Sequence, residues 1–532
     1  MAISNIFIKI NEVTNKISKF IENHTIVVII AIILCGSLLR FSTLFAMGFP
    51  LDVPLNGGGL YYQFSKTILE NNFSYPVYIP FYTENGLPFA YPPLCFYIIA
   101  CFSYITHIKI ITLHIYFPII ISALTVIAFY FLTKRFFHEK NMIIFSTFLY
   151  AILSYAFADL IVGEGLVESF GVLIFLIGFI YLDKSFTTNN LRYTIISGIL
   201  FGITILLSPG GAYAFSIALI VLLVIKGKNL VGIKKIFSIA IIGFFISVPW
   251  WLNVIKNHGF NTLLNGFFSR QGTNIFELLI KLAFFDNYFY EAFIATFCLI
   301  GLFYCLVKKE YLLPVLFFFF VIAGEITYII PIFAILLVTI GLFKVIIPSL
   351  NSVSHNNDYW SRICVIFFII VICFHALGMS YINLNEPGQL KWALNKSNVN
   401  VEKNDLDAMK WIENNTNKSS IFIVISDDQI WWLNDWFPAL TQRTTVNTVF
   451  GSEWTNKYKL MLKLTGKLNE CNNIVDLTNL TSLYSIHFTD IYFSKSQSNQ
   501  DFINNLTESK QYKKIYENDG GIVFESTSFT TV

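Results

Sequence analysis

"FAYPPLCFYIIACFSYIT", residues 89–106, is apolar enough to enter a bilayer, and whether it crosses sets the topology of everything after it. A spanning helix needs about 20 apolar residues. Runs that meet this are 25–47, 111–133, 141–158, 167–183, 191–207, 210–226, 233–252, 289–307, 311–326, 328–347 and 361–382. Lys9, Lys16 and Lys19 put the N-terminus in the cytoplasm by the positive-inside rule. The later clusters Lys134/Arg135/Lys140, Lys184/Arg192, Lys226/Lys228/Lys234/Lys235 and Lys308/Lys309 alternate with loops almost free of positive charge. They share one side only if a single crossing separates residue 88 from residue 134. One of 89–106 and 111–133 therefore does not span. The first is shorter and opens with Tyr91-Pro92-Pro93, so it is expected to lie on the outer surface or dip in partway.

That reading gives eleven spans in a polytopic α-helical membrane protein at the plasma membrane. Residues 1–24 form a cytoplasmic N-terminus and 25–384 a transmembrane domain with its first outer loop at 48–110. Residues 385–532 form an extracytoplasmic α/β domain. Composition agrees: 55% of the 532 residues are hydrophobic and 13% charged, where a soluble domain carries about 25% charged. A net charge of +3 is too small to argue for nucleic acid. Of eight cysteines only Cys471 lies in the hydrophilic tail, so the tail holds no internal disulfide, and no Cys/His group has zinc spacing. The N-terminus lacks a small-residue cleavage site, and the first span is read as retained.

"YLLPVLFFFFVIAGEITYIIPIFAILLVTIGLF", 311–343, would be roughly 50 Å long as one helix. It should fold as a hairpin with Glu325 at the outer turn, because an acid at mid-bilayer costs about 2.5–3.5 kcal/mol. In the tail, "NDLDAMKWIENNT" (404–416) has helical spacing with Asn404 or Asp405 as N-cap. "SIFIVIS", "TDIYFS" and "GGIVFES" read as strands.

Chemistry should sit where acids meet water beside the bundle. "MGFPLDVPLNGGGLYY", 47–62, leaves the first span with Asp52 held between Pro50 and Pro54. Its three glycines can cradle an anion with bare N–H groups, or simply turn the chain into a helix over 60–72 whose Leu60, Phe64 and Ile68 share a face. The lysine and strand context of a phosphate loop are missing. "ADLIVGEGLVESFG", between spans three and four, carries Asp159, Glu164 and Glu168, the last two on one helix face. Carboxylates converging there can hold a divalent cation, Mg²⁺ or Mn²⁺, that neutralises a phosphate leaving group. Arg270, isolated in the outer loop 253–288, can clamp a lipid phosphate or contact headgroups by snorkelling. Trp250 and Trp251 suit an interfacial belt. Trp431, Trp432 and Trp436 suit either a sugar-binding groove or the domain core.

Span one, an acid-bearing outer loop, a half-buried Tyr-Pro-Pro segment and a second acidic outer loop after span three together resemble the GT-C glycosyltransferases, which use polyprenyl-phosphate sugar donors. "NNFSYPVYIPFYTENGLPFAYPPLCFY" (71–97) is similar to first-loop sequence of uncharacterised prokaryotic members, which share the Pro-Phe-Ala-Tyr-Pro-Pro-Leu run. "FPIIISALTVIAFYFLTKRFF" (117–137) and "FLYAILSYAFADLIVGEGLVES" (148–169) resemble the corresponding stretch of the oligosaccharyltransferase catalytic subunit. In that family the apolar segment of the first loop does not cross. "AMKWIENNT" with "WWLNDWFPALTQRTT" is similar to the start of that subunit's soluble domain, but Leu433-Asn434-Asp435 stand where its motif has Asp-Tyr-Gly. Asn56-Gly57-Gly58 also stand where many relatives carry an acid.

The resemblance implies transfer of a sugar from a polyprenyl or dolichyl phosphate to an extracytoplasmic glycan, lipid or protein. Asp52 would be the general base. Asp159, Glu164 and Glu168 would bind a divalent ion or shape the donor site. Arg270, Tyr61, Tyr91, Trp431 and Trp432 would contact donor or acceptor. Oligosaccharide transfer to protein is the alternative within this chemistry. A transporter, or a membrane scaffold with a sugar-binding ectodomain, is the alternative outside it. A transporter calls for polar residues buried mid-span in broken helices, and these spans are nearly charge-free.

Overall fold

A computed structural model of the chain describes residues 23–46, 53–54, 57–188, 190–268, 292–324, 327–353, 403–426, 431–495 and 500–527, with scattered positions between 363 and 374. Asp52, Arg270, Glu325 and nearly all of the expected span 361–382 lie outside them. Helix α1 (Thr25–Ala46) enters the bundle, and α2 (Gly59–Glu70), α3 (Leu94–Thr106) and α4 (Ile110–Phe136) follow, with a two-residue hairpin β1–β2 (Tyr78–Ile79 and Leu87–Pro88) between α2 and α3. Then come α5 (Lys140–Ile152), α6 (Gly165–Thr187), α7 (Leu191–Leu207), α8 (Pro209–Lys226), α9 (Leu230–His258) and α10 (Phe260–Phe268). Helices α11 (Ala292–Val307), α12 (Leu312–Ala323) and α13 (Ile330–Ile340), the last running on through a π-helical segment at Gly341–Ile346 into Ile347–Val353, complete the described bundle. Six helices are long and apolar enough to cross a membrane, among the described residues, and the protein is a multi-pass membrane protein.

Helix α3 has 13 residues, about 20 Å, which is short of a ~30 Å hydrocarbon core. It lays Phe96 flat on Phe64 of α2, with ring centroids 4.8 Å apart, while Phe102, Tyr104 and Ile105 stay exposed. The span expected at 141–158 is shorter than its hydropathy suggested. Its helix stops at Ile152 and the chain tightens into 3₁₀ turns at Ser154–Ala156 and Ala158–Leu160. The long apolar stretch does break, at Gly324 (φ +62°), and Phe320 stacks on Phe333 across the two arms at 5.0 Å.

The basic clusters gather at one end of the bundle. Arg135 donates through Nε and Nη2 to Asp183 Oδ2 at 3.0 and 2.6 Å, and Lys226 reaches Asp183 Oδ1 at 2.6 Å. Lys235 bonds the Ser185 carbonyl and Lys344 pairs with Glu139. Loops that the charge pattern assigned to one side of the membrane are thus neighbours in space.

At the other end stands the C-terminal α/β domain. Its helices are α14 (Lys403–Asn415), α15 (Trp431–Thr441), α16 (Tyr458–Asn469), α17 (Ile474–Leu483) and α18 (Gln500–Glu508). Its strands are β3 (Ile421–Ile425), β4 (Thr444–Thr445), β5 (Asp490–Ser494), β6 (Tyr512–Glu517) and β7 (Gly521–Ser526), ordered β4-β3-β5-β7-β6. β3 runs parallel to β4 and β5, while β7 is antiparallel to β5 and β6. All three strands read from sequence are present. The Trp-rich stretch folds as helix α15. Asp405 lies inside the first turn of α14 and does not stand as its N-cap; its buried carboxylate accepts from Tyr492 Oη at 2.5 Å and Ser494 Oγ at 3.3 Å.

Period-two alternation splits the sheet between two cores. Ile423, Ile425, Ile491 and Phe493 face Leu464, Leu477 and Phe502 of the domain's own helices. Phe422, Val424, Tyr492 and Val523 face Trp432, Trp436 and Phe437, and that cluster continues without a break into Phe64, Tyr82, Phe89 and Phe96 of the first loop. Half of the domain's core therefore belongs to the membrane part.

Candidate active site at the seam of two loops and the C-terminal domain

Helix α2 begins without a side-chain cap of its own. Gly58 sits at φ +118°, a backbone conformation only glycine adopts readily, and this turns the N–H groups of Gly58, Gly59 and Leu60 toward one point. That point is the carboxylate of Asp435. Oδ2 accepts from Gly58 and Gly59 at 2.7 Å each, and Oδ1 accepts from Leu60 at 2.9 Å. The helix start attracts an anion, as its orphan donors and dipole dictate, and the anion it binds is a side chain 375–377 residues away. A phosphate cradle at these glycines is thereby replaced by an internal clamp. Tyr82 reinforces it by donating to the Asp435 carbonyl at 2.8 Å, and Thr445 N–H bonds the Phe81 carbonyl at 2.9 Å.

Burial pushes the Asp435 carboxyl up to about 6, against the pull of the three N–H donors. Because the folded value lies above the ordinary 3.8, its contribution to stability is complete below about pH 4 and is lost as pH rises through about 6. Wild type should therefore gain about 1 kcal/mol over Asp435→Asn between pH 7 and pH 5, at about 1.36 kcal/mol per pKa unit. Thermal unfolding of both proteins across that range measures it, and parallel pH profiles would refute it.

Gly57 carries the second close approach. A Cβ there would stand 2.6 Å from Glu164 Oε1 and 2.8 Å from the Trp432 ring, so only glycine lets the acid and the indole close on the loop. Pro54, two residues beyond Asp52, packs on Gly163, the neighbour of Glu164. Glu164 stands at the start of α6 and Glu168 lies in its first turn. Glu168 accepts from Ser208 Oγ at 3.1 Å and from Tyr328. Tyr61 Oη donates to Tyr91 Oη at 3.0 Å. Burial, the Tyr91 phenol and the nearby carboxylates of Glu168 and Glu164 hold the Tyr61 phenol well above its usual range, so it stays a neutral donor.

The structure thus brings Tyr61, Tyr91, Glu164 and Glu168 to one seam. Asp159, one turn earlier, is exposed. No group of three or more His, Cys, Asp or Glu is gathered for an ion among the described residues, so Asp159, Glu164 and Glu168 do not form a ligand trio by themselves. Of the groove and the core that the sequence offered Trp432, it takes the core: it is 3% exposed and packs between Gly57 and Phe450. Trp436 is fully buried beside Tyr62. Trp250 is buried rather than belted, donating its indole N–H to the Ala90 carbonyl at 3.0 Å. Ser208, Tyr328, Tyr82 and the clamp role of Asp435 escaped the sequence reading. Only the uncapped glycine run hinted that an anion was missing.

A bundle with charge-rich turns at one end, two packed loops with acids at the other, and an α/β domain seated on them define a class. That class is the GT-C-like fold of membrane glycosyltransferases, which the chain resembles in fold. Residues 90–252 match the family described as dolichyl-phosphate-mannose-protein mannosyltransferase. The fold is similar to that of the archaeal oligosaccharyltransferase AglB from Archaeoglobus fulgidus, solved with an inhibitory peptide and a dolichol-phosphate (TM-score 0.56, 14% identity, 89% of this chain and 70% of that one). The Archaeoglobus fulgidus oligosaccharyltransferase with Zn and sulfate gives TM-score 0.56 at 16% identity over 94% of this chain and 73% of that one. ArnT from Cupriavidus metallidurans, in the apo state, gives TM-score 0.56 at 11% identity over 94% and 98%. No protein of curated function matches in sequence.

Proposed function

We propose that the chain transfers a sugar from a polyprenyl- or dolichyl-phosphate donor to an extracytoplasmic acceptor. The observation that carries this reading is the seam, where Glu164 meets the Gly57 turn beside Glu168 and Tyr61 at the domain-bearing end of the bundle. In the reaction an acceptor hydroxyl oxygen attacks the anomeric carbon, the bond from that carbon to the phosphate oxygen breaks, and lipid phosphate leaves. Asp52 takes the hydroxyl proton; packing of nearby Pro54 on Gly163 supports bringing it to Glu164. Arg270 meets the lipid phosphate. Tyr61, with its proton retained, and Tyr91 orient the donor headgroup. Glu164 and Glu168, with Asp159, are the oxygen donors that would hold Mg²⁺ or Mn²⁺, whose charge would offset that on the leaving phosphate. The Gly57 turn fits this use, since it leaves the Glu164 oxygen uncovered by a Cβ.

Transfer of oligosaccharide to protein is the less supported branch. Asp435 is spent on the glycine turn and Trp432 is packed, so neither is presented to a peptide. Membranes containing the chain, supplied with a panel of polyprenyl-phosphate sugars, should release lipid phosphate and form a glycosylated product. Sugar binding without transfer from any donor would favour the scaffold reading instead.

The same reading puts the N-terminus and residues 134–140 in the cytoplasm and the C-terminal domain outside. Single cysteines at Asn85 and Lys134 should label from opposite faces with an impermeant reagent. Labelling of both from outside would overturn the topology.

A further inference from the structure

Helix α9 is 29 residues long, about 43 Å, which carries it from one headgroup layer to the other. Its flank is open, with Phe237, Ile241, Phe244 and Phe245 all more than half exposed, as expected of a surface turned to lipid. At His258 it ends, Gly259 (φ +82°, with nothing near its missing side chain) bends the chain, and α10 starts at the next residue. His258 is pinned at this corner by the Val77 carbonyl, 2.8 Å away, and by the edge of the Tyr78 ring.

Helix α10 is two-faced. At ~100° per residue, Phe260, Leu264, Phe267 and Phe268 fall within one ~100° arc, and they are 59%, 37%, 73% and 79% exposed. Thr262 and Leu263 turn the other way and are buried. On that side Gly266 lies directly against the Trp454 ring, closer than any side chain would permit. Trp454 belongs to the C-terminal domain and meets Tyr91 edge-on at 5.9 Å, and Tyr91 bonds Tyr61. Lys256, exposed just before the corner, is placed to snorkel to phosphate headgroups.

We propose that α10 is an interfacial helix that inserts Phe260, Leu264, Phe267 and Phe268 into the lipid leaflet on the domain-bearing side and seats the C-terminal domain on that leaflet through Trp454. The occupant is membrane lipid because the apolar face starts where the lipid-facing surface of α9 leaves off, one glycine away. A face of this kind buries about 5–10 Å deep at the boundary of headgroups and acyl chains. The inference stands apart from the proposed reaction.

The full chain, reconstituted in phosphatidylethanolamine–phosphatidylglycerol vesicles with an acyl-chain diazirine lipid, tests it by photolysis and peptide mass spectrometry. Adducts on 260–268 should come within about threefold of those on Phe244 and Phe245 of α9, as an inserted aromatic face requires. The double variant Phe267→Asp, Phe268→Asp should lose at least about fivefold of that labelling while α9 keeps its own, which also reports that the chain is folded and inserted. Labelling of α9 with none on 260–268, whether because α10 stands in water or is covered by a second copy, would overturn the proposal.

Discussion

Asp52→Asn is expected to cut sugar transfer by about 10²–10⁴-fold, the usual contribution of a positioned general base, with little change in stability. The substitution keeps the shape of the side chain and removes only its ability to take a proton. The restraint of Pro50 and Pro54 on either side is untouched. Glu84→Gln is the control, since Glu84 lies in the same loop at an exposed position. Glu164→Gln should also impair transfer, and raising the divalent-ion concentration should restore part of its activity if the acid holds a cation. Full transfer by both Asp52→Asn and Glu164→Gln would place the chemistry elsewhere or mark the chain as a binding protein.

Asp435→Ala is the second large effect, and it acts through structure. Three buried N–H groups lose their acceptor together, and each orphaned donor costs about 1–3 kcal/mol. The loss falls on the seam, because the same turn brings Gly57 against Glu164. Hydrogen exchange of the full chain should show the amides of Gly58, Gly59 and Leu60 protected in wild type and fast in the variant. Transfer should drop at least about tenfold, the effect of 1.36 kcal/mol lost from positioning. Persistent protection of those amides would rule out the clamp. A fragment beginning at residue 403 should behave consistently with this account. It would expose Trp432, Trp436 and one face of the sheet, which pack on the first loop in the whole protein. It should therefore lack a cooperative unfolding transition, contrary to what the tail's own helix and strand pattern suggests.

Much of the architecture could be read from the chain alone because its signals are local. A run of apolar residues either is or is not long enough to cross, and lysines flanking it mark a side. Arg135, Lys226 and Lys235 accordingly meet at one end of the bundle. The unbroken apolar runs in "IFIVIS" and "DIYFS" announce strands buried on both faces. Helix length was less legible. Hydropathy is indifferent to where the backbone stops being helical, so the break after Ile152 went unseen.

The candidate site divides along the same line. Sequence by itself determined that Glu164 and Glu168 stand four apart at the end of a span, and that Gly57-Gly58-Gly59 turns the chain into a helix. Which anion meets that helix start was decided only by tertiary structure, since Asp435, Leu60 and the turn between them are joined by contacts across some 375 residues. Local periodicity carries no information about such a partner. A helix N-terminus attracts any negative charge, and a buried carboxylate must find donors wherever the fold supplies them.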